Sequence, residues 1–142
     1  MTLDACPEVG DEGFRFCGIW AKNRWEWMTT LLACMHYKIT VVGFYDAMGV
    51  SSVEFILNQT EMSSIICSSE YCEKIYNMKK DGMAQYIKCL VVLDDKRSKE
   101  DQAKLDEMIK QLNDDYQVQV RMFSDVMDEG SKNEAAPEFI QP

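Results

Sequence analysis

The chain has 142 residues, 46% of them hydrophobic and 27% charged, and a net charge of −9. This length and composition suit one globular domain and exclude a disordered tail, a collagen-like fibre and a disulfide-stapled scaffold. So acidic a surface repels phosphate backbones and argues against general nucleic-acid binding.

Residues 1–13 hold Pro7, Gly10 and Gly13 among acids and read as a surface lead-in. Phe14 to Trp20 reads as a strand, with Phe14, Phe16, Gly18 and Trp20 on one face and Cys17 and Ile19 on the other. Both faces are largely apolar, as in a strand covered on both sides. Asn23 is the expected N-cap of a helix over about Arg24–Tyr37. Trp27, Leu31, Cys34 and Met35 make one stripe, and Trp25, Met28 and Leu32 widen it, so this helix is expected to be buried on more than one side.

Ile39 to Phe44 is a β-branched run and the second strand. Ser51-Ser52-Val53-Glu54 has the pattern of a capping box opening a second helix, with Val53, Ile56, Leu57 and Thr60 on its inner face. Ser64 to Cys67 is a third strand. Ser68 or Ser69 caps a third helix carrying Tyr71, Ile75 and Met78. Lys79 and Lys80 sit at its C-terminal end, where the dipole favours cations, and Gly82 supplies a left-handed stop. Lys88 to Leu93 is a fourth strand. A helix over about Asp101–Asn113 carries the stripe Leu105, Met108, Ile109 and Leu112, with i, i+4 pairs Glu100/Lys104 and Asp106/Lys110 on its wet side. Gln117 to Phe123 is a fifth strand, and Ser124 caps a short helix through about Glu129. Residues 130–142 read as a linker-like tail. Strict alternation of strand and helix implies an α/β domain over 14–129, a mainly parallel sheet with helices on both faces.

The acid is unevenly spread. Residues 1–93 carry 11 acids and 8 bases, and residues 94–142 carry 13 acids and 7 bases. A solvated face explains the excess. The longest uncharged run, Trp27 to Tyr37, has 11 residues, short of the roughly 18–20 of a membrane-spanning helix. Asp4 and Glu8 break any secretion signal. A cytoplasmic setting, or the cytosolic face of a membrane, is expected. None of the six cysteines forms a C-x-x-C pair, and His36 is the lone histidine, so no paired zinc site is written. Cys17, Cys34, Cys67 and Cys89 lie in apolar runs and read as small buried hydrophobes.

Catalytic motifs are absent. No G-x-G-x-x-G follows the first strand, no phosphate-loop signature occurs, and Gly10 and Gly13 precede the first strand. His36 closes an apolar helix and reads as structural. Asp94 and Asp95 follow the fourth strand, where a metal-binding carboxylate pair could sit, but a receiver-type site needs acids after the first and third strands as well. Ile19-Trp20-Ala21 and Cys67-Ser68 stand there, so an exposed acidic turn before Lys96-Arg97 is the better reading. Trp25-Glu26-Trp27 reads as core more readily than as an aromatic platform. No catalytic, cofactor-binding or metal-binding residue is assigned.

Four co-linear stretches go further. Gly18-Ile19-Trp20-Ala21-Lys22-Asn23-Arg24-Trp25-Glu26-Trp27 resembles the "GI-x-(S/A)-K-N-R-x-E-W" segment of long-chain fatty acyl-CoA synthetases, in the adenylate-forming superfamily. Leu32-Ala33-Cys34-Met35 follows at the expected distance. Thr40 to Gly49 is similar to "T-V-x-P-L-Y-D-T-L-G", and Val53 to Glu61 to "x-E-Y-I-L-N-x-x-E". The resemblance covers about Phe14 to Pro142. It departs at Lys38, where the family usually has Gly, and at Gly43, where it has Pro. Losing Pro frees φ and adds an N–H, so the corner holding Tyr45 and Asp46 is expected to be looser.

The resemblance implies the N-terminal subdomain of a long-chain fatty acid–CoA ligase, present as a fragment. In that family ATP activates a fatty acid as an acyl-adenylate and the acyl group passes to CoA, with Mg²⁺ against the phosphates. The phosphate loop and catalytic lysine lie downstream of the segment seen here, so no ATP, Mg²⁺ or CoA site is expected on this chain. The alternative is a non-catalytic interaction or regulatory module that associates with the rest of the enzyme or a paralogue.

Overall fold

A computed structural model describes residues 5–133. Among them, one sheet holds β1 (Glu8–Val9), β2 (Phe14–Trp20), β3 (Ile39–Phe44), β4 (Ser64–Cys67), β5 (Cys89–Val92) and β6 (Gln119–Met122). The helices are α1 (Trp25–His36), α2 (Val50–Thr60), α3 (Cys72–Lys80), α4 (Lys99–Tyr116) and α5 (Phe123–Lys132). A 3-10 turn at Ser69–Tyr71 leads into α3. β3, β2, β4, β5 and β6 lie side by side in that order, all parallel. Parallel neighbours cannot be joined by a tight turn, and here each connection contains a helix. The chain therefore adopts the α/β architecture that its alternating pattern implies.

The two faces are covered unequally. Trp20, Ile65, Cys67, Leu90 and Val92 point to the face packed by Val53 and Leu57 of α2, Ile75 and Met78 of α3, and Leu105 and Leu112 of α4. Cys17, Ile66, Val91 and Leu93 point to the other face, where Cys34 of α1 and Phe123 of α5 meet them. The period of two along each strand separates the sets. β4 and β5 are buried at every position, because both faces and both edges are occupied. β3 has a neighbour on one side only and is mostly half-buried. At the centre of β2, Gly18 is required: a Cβ there would lie 2.8 Å from Phe44 Cε2 and 3.0 Å from both Ile65 Cγ1 and Met62 Sδ.

Several expectations are corrected. The segment before Phe14 is more than a surface lead-in. β1 pairs antiparallel with β2, Glu8 opposite Arg15 and Val9 opposite Phe14, and Cys6 is fully buried. Ser63 and Ser64 donate their hydroxyls to Ala5 O, which ties the lead-in down. Asn23 does not cap α1; Arg24 holds the extended N-cap position without a side-chain cap. α2 starts earlier than the expected box, at Val50 after Gly49. α4 is longer, and Ser98 caps it by accepting from Asp101 N at 3.1 Å. α5 begins at Phe123 and runs to Lys132, past the expected end near Glu129 and into the expected tail. The rest of that tail, 134–142, lies outside the described residues.

The largest correction concerns α1. Trp25, Met28, Leu32 and Met35, expected to widen its buried face, are each more than half exposed. The helix lies beside an edge strand, and of its outward side chains Trp25 alone has a ring partner among the described residues, Phe123. By contrast, the left-handed stop falls where expected, at Gly82 with φ +78°. Three non-glycine residues also take left-handed φ: Lys38 (+54°), Glu61 (+47°) and Gln117 (+55°). Glu61 and Gln117 terminate α2 and α4. Lys38 is the single residue between the end of α1 and the start of β3 that no helix or strand claims apart from the cap, Tyr37.

Candidate functional site

In open parallel sheets ligands bind beyond the carboxyl ends of the strands, where the strand order reverses. Here the reversal lies between β2 and β4: the chain leaves β2 for β3 on one side and returns to β4 on the other. The residues that follow β2, β4 and β5, namely Ala21–Arg24, Ser68–Tyr71 and Asp94–Arg97, lie at that end of the sheet.

What they build is an ion-pair network. Arg24 donates to both oxygens of Glu26 at 2.7 and 2.6 Å, and to Asp95 at 2.7 Å. Arg97 lies 3.6 Å from Asp95, and donates to Ser69 Oγ at 3.1 Å and Leu93 O at 2.8 Å. Asp94 accepts from Ser124 N at 2.7 Å and Ser124 Oγ at 3.0 Å. It therefore caps the first turn of α5 from another loop, where the helix dipole favours a carboxylate. Ser124, expected as the cap, is the residue being capped. Glu26, buried on the first turn of α1, is held below the usual carboxylate range by its hydrogen bonds to Arg24, against the opposing effect of burial. Those same bonds push Arg24 up. The carboxylates thus bridge β5 to α1 and α5 and leave no acid pair directed at a cation. Among the described residues, no group of three His, Cys, Asp or Glu side chains could hold a metal ion.

Beside this network Trp20 stacks on Tyr71, centroids 4.6 Å apart, and the Lys74 ammonium lies 5.0 Å above the Tyr71 ring. Trp20 and Tyr71 are buried, so the aromatic pair is a packed corner of the core. The Trp25-Glu26-Trp27 cluster divides. Trp25 is 62% exposed, contrary to the expectation of core, and meets Phe123 edge-on at 5.8 Å. Trp27 is half-buried near Gly43. His36 is exposed at the end of α1, its Nδ1 donating to Leu32 O at 2.7 Å. Tyr45 and Asp46 are exposed, with Lys22 3.9 Å from Asp46.

All six cysteines are free thiols and buried, Cys6 and Cys72 included. Hydrogen bonding to Cys34, then to Cys6, together with burial, pushes the Cys17 thiol well up. Cys67 is raised in the same way by Cys72 and burial. Cys17 and Cys67, held protonated and out of solvent, are therefore poor nucleophiles, while their partners Cys6 and Cys72 are lowered by the same hydrogen bonds but buried.

A second feature lies between two helices. Between α1 and α5 an apolar groove of about 770 Å³ opens over the sheet, with Ile66 and Val91 in its lining and Ser131 and Asn133 near its end.

This strand order, with helices on both faces, defines an α/β unit of the kind found in adenylation domains. The chain superposes on the A domain of carboxylic acid reductase from Segniliparus rugosus with a TM-score of 0.72 at 15% identity, over 89% of this chain and 20% of that one. It superposes on the adenylation domain of a carboxylate reductase from Mycobacterium chelonae with a TM-score of 0.75 at 18% identity, over 87% and 19%. The family model of AMP-binding enzymes matches residues 11–138, and the chain belongs to that family.

Within the family the relatives include long-chain acyl-CoA synthetases, as the four sequence stretches imply. Long chain acyl-CoA synthetase 2 of Arabidopsis thaliana is 37% identical over 75 residues, 53% of this chain and 11% of the relative. Fatty acyl-CoA synthetase A of Dictyostelium discoideum is 30% identical over 125 residues, 88% of this chain and 17% of the relative. Long-chain-fatty-acid–CoA ligase 6 of Homo sapiens is 26% identical over 133 residues, 90% and 17%. The chain spans less than a fifth of the length of each.

The family implies ATP with Mg²⁺, and the residues at the sheet's carboxyl edge do not fit a triphosphate. Such a group needs free backbone N–H donors and unpaired cations. Here the first turn of α5 is occupied by Asp94, and Arg24 and Arg97 both face Asp95.

Proposed function

We propose that this chain supplies the N-terminal α/β portion of a long-chain fatty acid–CoA ligase, the enzyme class that activates fatty acids through an acyl-adenylate, and carries none of the chemistry itself. The observation that carries this reading is the pairing at the carboxyl edge. The fold matches adenylation domains, yet Arg24 and the first turn of α5 at that edge are paired with the chain's own Asp95 and Asp94. The chain then acts as structural support for nucleotide, fatty-acid and CoA sites formed elsewhere in the enzyme. Its six free thiols support a reducing, cytosolic-facing setting.

The test is fatty-acid-dependent ATP–pyrophosphate exchange by the purified 142 residues. No exchange and no tight ATP binding are expected. Exchange above background would overturn the proposal.

A second reading, an interaction module derived from the synthetase, is favoured by one feature, the row of large apolar side chains exposed on α1. Soluble monomeric proteins seldom expose a large contiguous apolar patch. Co-purification of the chain with a full-length paralogue is the expected outcome if this reading holds.

A further inference from the structure

Four of the six free thiols, Cys6, Cys17, Cys34 and Cys89, pack in one buried cluster. Within it the lead-in and the central strand meet thiol to thiol. β1 and β2 pair antiparallel with Glu8 opposite Arg15, and the Glu8 carboxylate accepts from Arg15 at 2.9 Å across the pair. Carried two residues further, that register sets Cys6 opposite Cys17 on the same face, because side chains alternate along a strand. The two thiols meet as the register requires, hydrogen-bonded to each other. Residues directly opposite in an antiparallel pair stand about 4.5–5.5 Å apart at Cα, inside the roughly 4.4–6.8 Å that a disulfide spans. Both side chains are fully buried.

We propose that Cys6 and Cys17 are a peroxide-sensitive pair whose oxidation to a disulfide fastens the lead-in covalently to β2. This is a property of the chain under either functional reading above. Two other thiol pairs are hydrogen-bonded, Cys17 with Cys34 and Cys67 with Cys72, and access selects among the three. Cys34, Cys67 and Cys72 sit on α1, β4 and α3, whereas Cys6 precedes a two-residue strand. The lead-in is tied by that strand, by the Ser63 and Ser64 hydroxyls on Ala5 O, and by Glu8, whose side chain is mostly exposed. Its turn pivots on Gly10 and Gly13, both at positive φ. A segment with so few ties opens locally at far below the cost of global unfolding and admits a small oxidant. The pair also has a defined nucleophile. The hydrogen bond from Cys17 lowers the Cys6 thiol against burial, with help from Ser64 and Arg15.

The Cys6 thiolate attacks one oxygen of hydrogen peroxide and the O–O bond breaks. The hydroxide that leaves takes up the proton Cys6 had released, giving a sulfenic acid and water. Cys17 then attacks the Cys6 sulfur as it gives up its own proton. The S–S bond forms, the S–O bond breaks, and that proton leaves with the hydroxide as a second water. Two thiols lose two electrons and one peroxide gains them. A small thiol reverses the step by exchange.

The experiment treats the 142-residue chain with hydrogen peroxide, blocks the remaining thiols with iodoacetamide in denaturant, and maps unreduced tryptic peptides by mass spectrometry. Cleavage after Arg15 and Lys22 puts Cys6 and Cys17 on separate peptides. The first product is expected to be lighter by two hydrogens, with those two peptides linked, and dithiothreitol is expected to restore the starting mass. Its melting midpoint is expected to rise by about 5–10 °C, as for a closed loop of this size. Before oxidation, Cys6 is expected to react with a maleimide at least about tenfold faster than Cys67. Cys6→Ser loses the link and the rise in midpoint, and Cys34→Ala keeps both. The map of the unaltered chain decides the matter even if a variant folds poorly. A first link between Cys17 and Cys34, or between Cys67 and Cys72, overturns the proposal. So does sulfinic acid at Cys6 without a link, maleimide labelling of Cys6 as slow as that of Cys67, or a chain whose six thiols all survive peroxide that oxidises free cysteine.

Discussion

Lys38 offers a direct test of how the α1–β3 connection is made. The polypeptide leaves α1 through its C-cap Tyr37 and enters β3 at Ile39, so Lys38 alone completes the reversal, at φ +54°. This is the position after a helix at which glycine is usual. A side chain in that region meets the following carbonyl, at a cost of about 1–2 kcal/mol. Replacing Lys38 by glycine removes the clash but adds freedom to the unfolded chain, which costs about 0.5–1 kcal/mol. The net gain is about 0.5–1 kcal/mol for Lys38→Gly. With an unfolding entropy near 2.1 cal/mol/K per residue, 142 residues give about 0.3 kcal/mol per kelvin, so the melting midpoint rises by about 2–3 °C. The assay is a thermal melt by circular dichroism at pH 7 of wild type, Lys38→Gly and Lys38→Ala. Alanine keeps the Cβ and its clash, so its midpoint is expected to stay near wild type. A fall for Lys38→Gly, or an equal rise for both variants, would refute the reasoning. The second result would trace the gain to loss of the lysine side chain.

Two further outcomes follow from the core and the ion pairs. Gly18→Ala forces a Cβ against Phe44, Ile65 and Met62 in a central strand and is expected to destabilise by about 1–3 kcal/mol in urea unfolding; a loss below about 0.5 kcal/mol would mean that the three side chains move aside freely. Glu26 is held below its usual range in the folded state, chiefly by Arg24. Its contribution is therefore fully present above the unfolded carboxylate pKa, roughly 4.3, and is lost as pH falls through the lower folded value. Between pH 6 and 3 the wild-type midpoint should fall more steeply than that of Glu26→Gln, and parallel curves would show that the pairing with Arg24 adds nothing.

From β2 to α5 the order and type of the main elements were legible in the sequence because each carries its own period, whereas the two-residue β1 is too short to carry one. Two-residue alternation marks Phe14–Trp20, and the Leu105, Met108, Ile109, Leu112 stripe marks α4. The family, too, was legible, in stretches that the fold gathers around β2, α1, β3 and α2. Helix starts were harder to read, since a cap depends on which side chain reaches the first N–H groups. For α5 that side chain is Asp94, 30 residues earlier in the chain. The same distance effect hides the network at the sheet's carboxyl edge. Arg24 and Glu26 are neighbours in sequence, but Asp95 is 71 residues away and reaches Arg24 only after β5 has docked beside β4. Asp94 and Asp95 read alone as an exposed acidic turn, and only the packed sheet turns them into a cap and a bridge.

α1 shows the converse limit. Its apolar residues nearly surround it, and hydrophobic spacing alone assigns every one of them to a core. Burial needs a partner as well as an apolar side chain. The tertiary structure supplies one for Cys34 and leaves Trp25, Met28, Leu32 and Met35 facing outward. The sequence by itself determined the elements from β2 to α5, their order and the family, because those rest on local periodicity and on stretches read in line. Which faces are covered, and by what, was decided only by the tertiary structure, because it depends on segments brought together from distant parts of the chain.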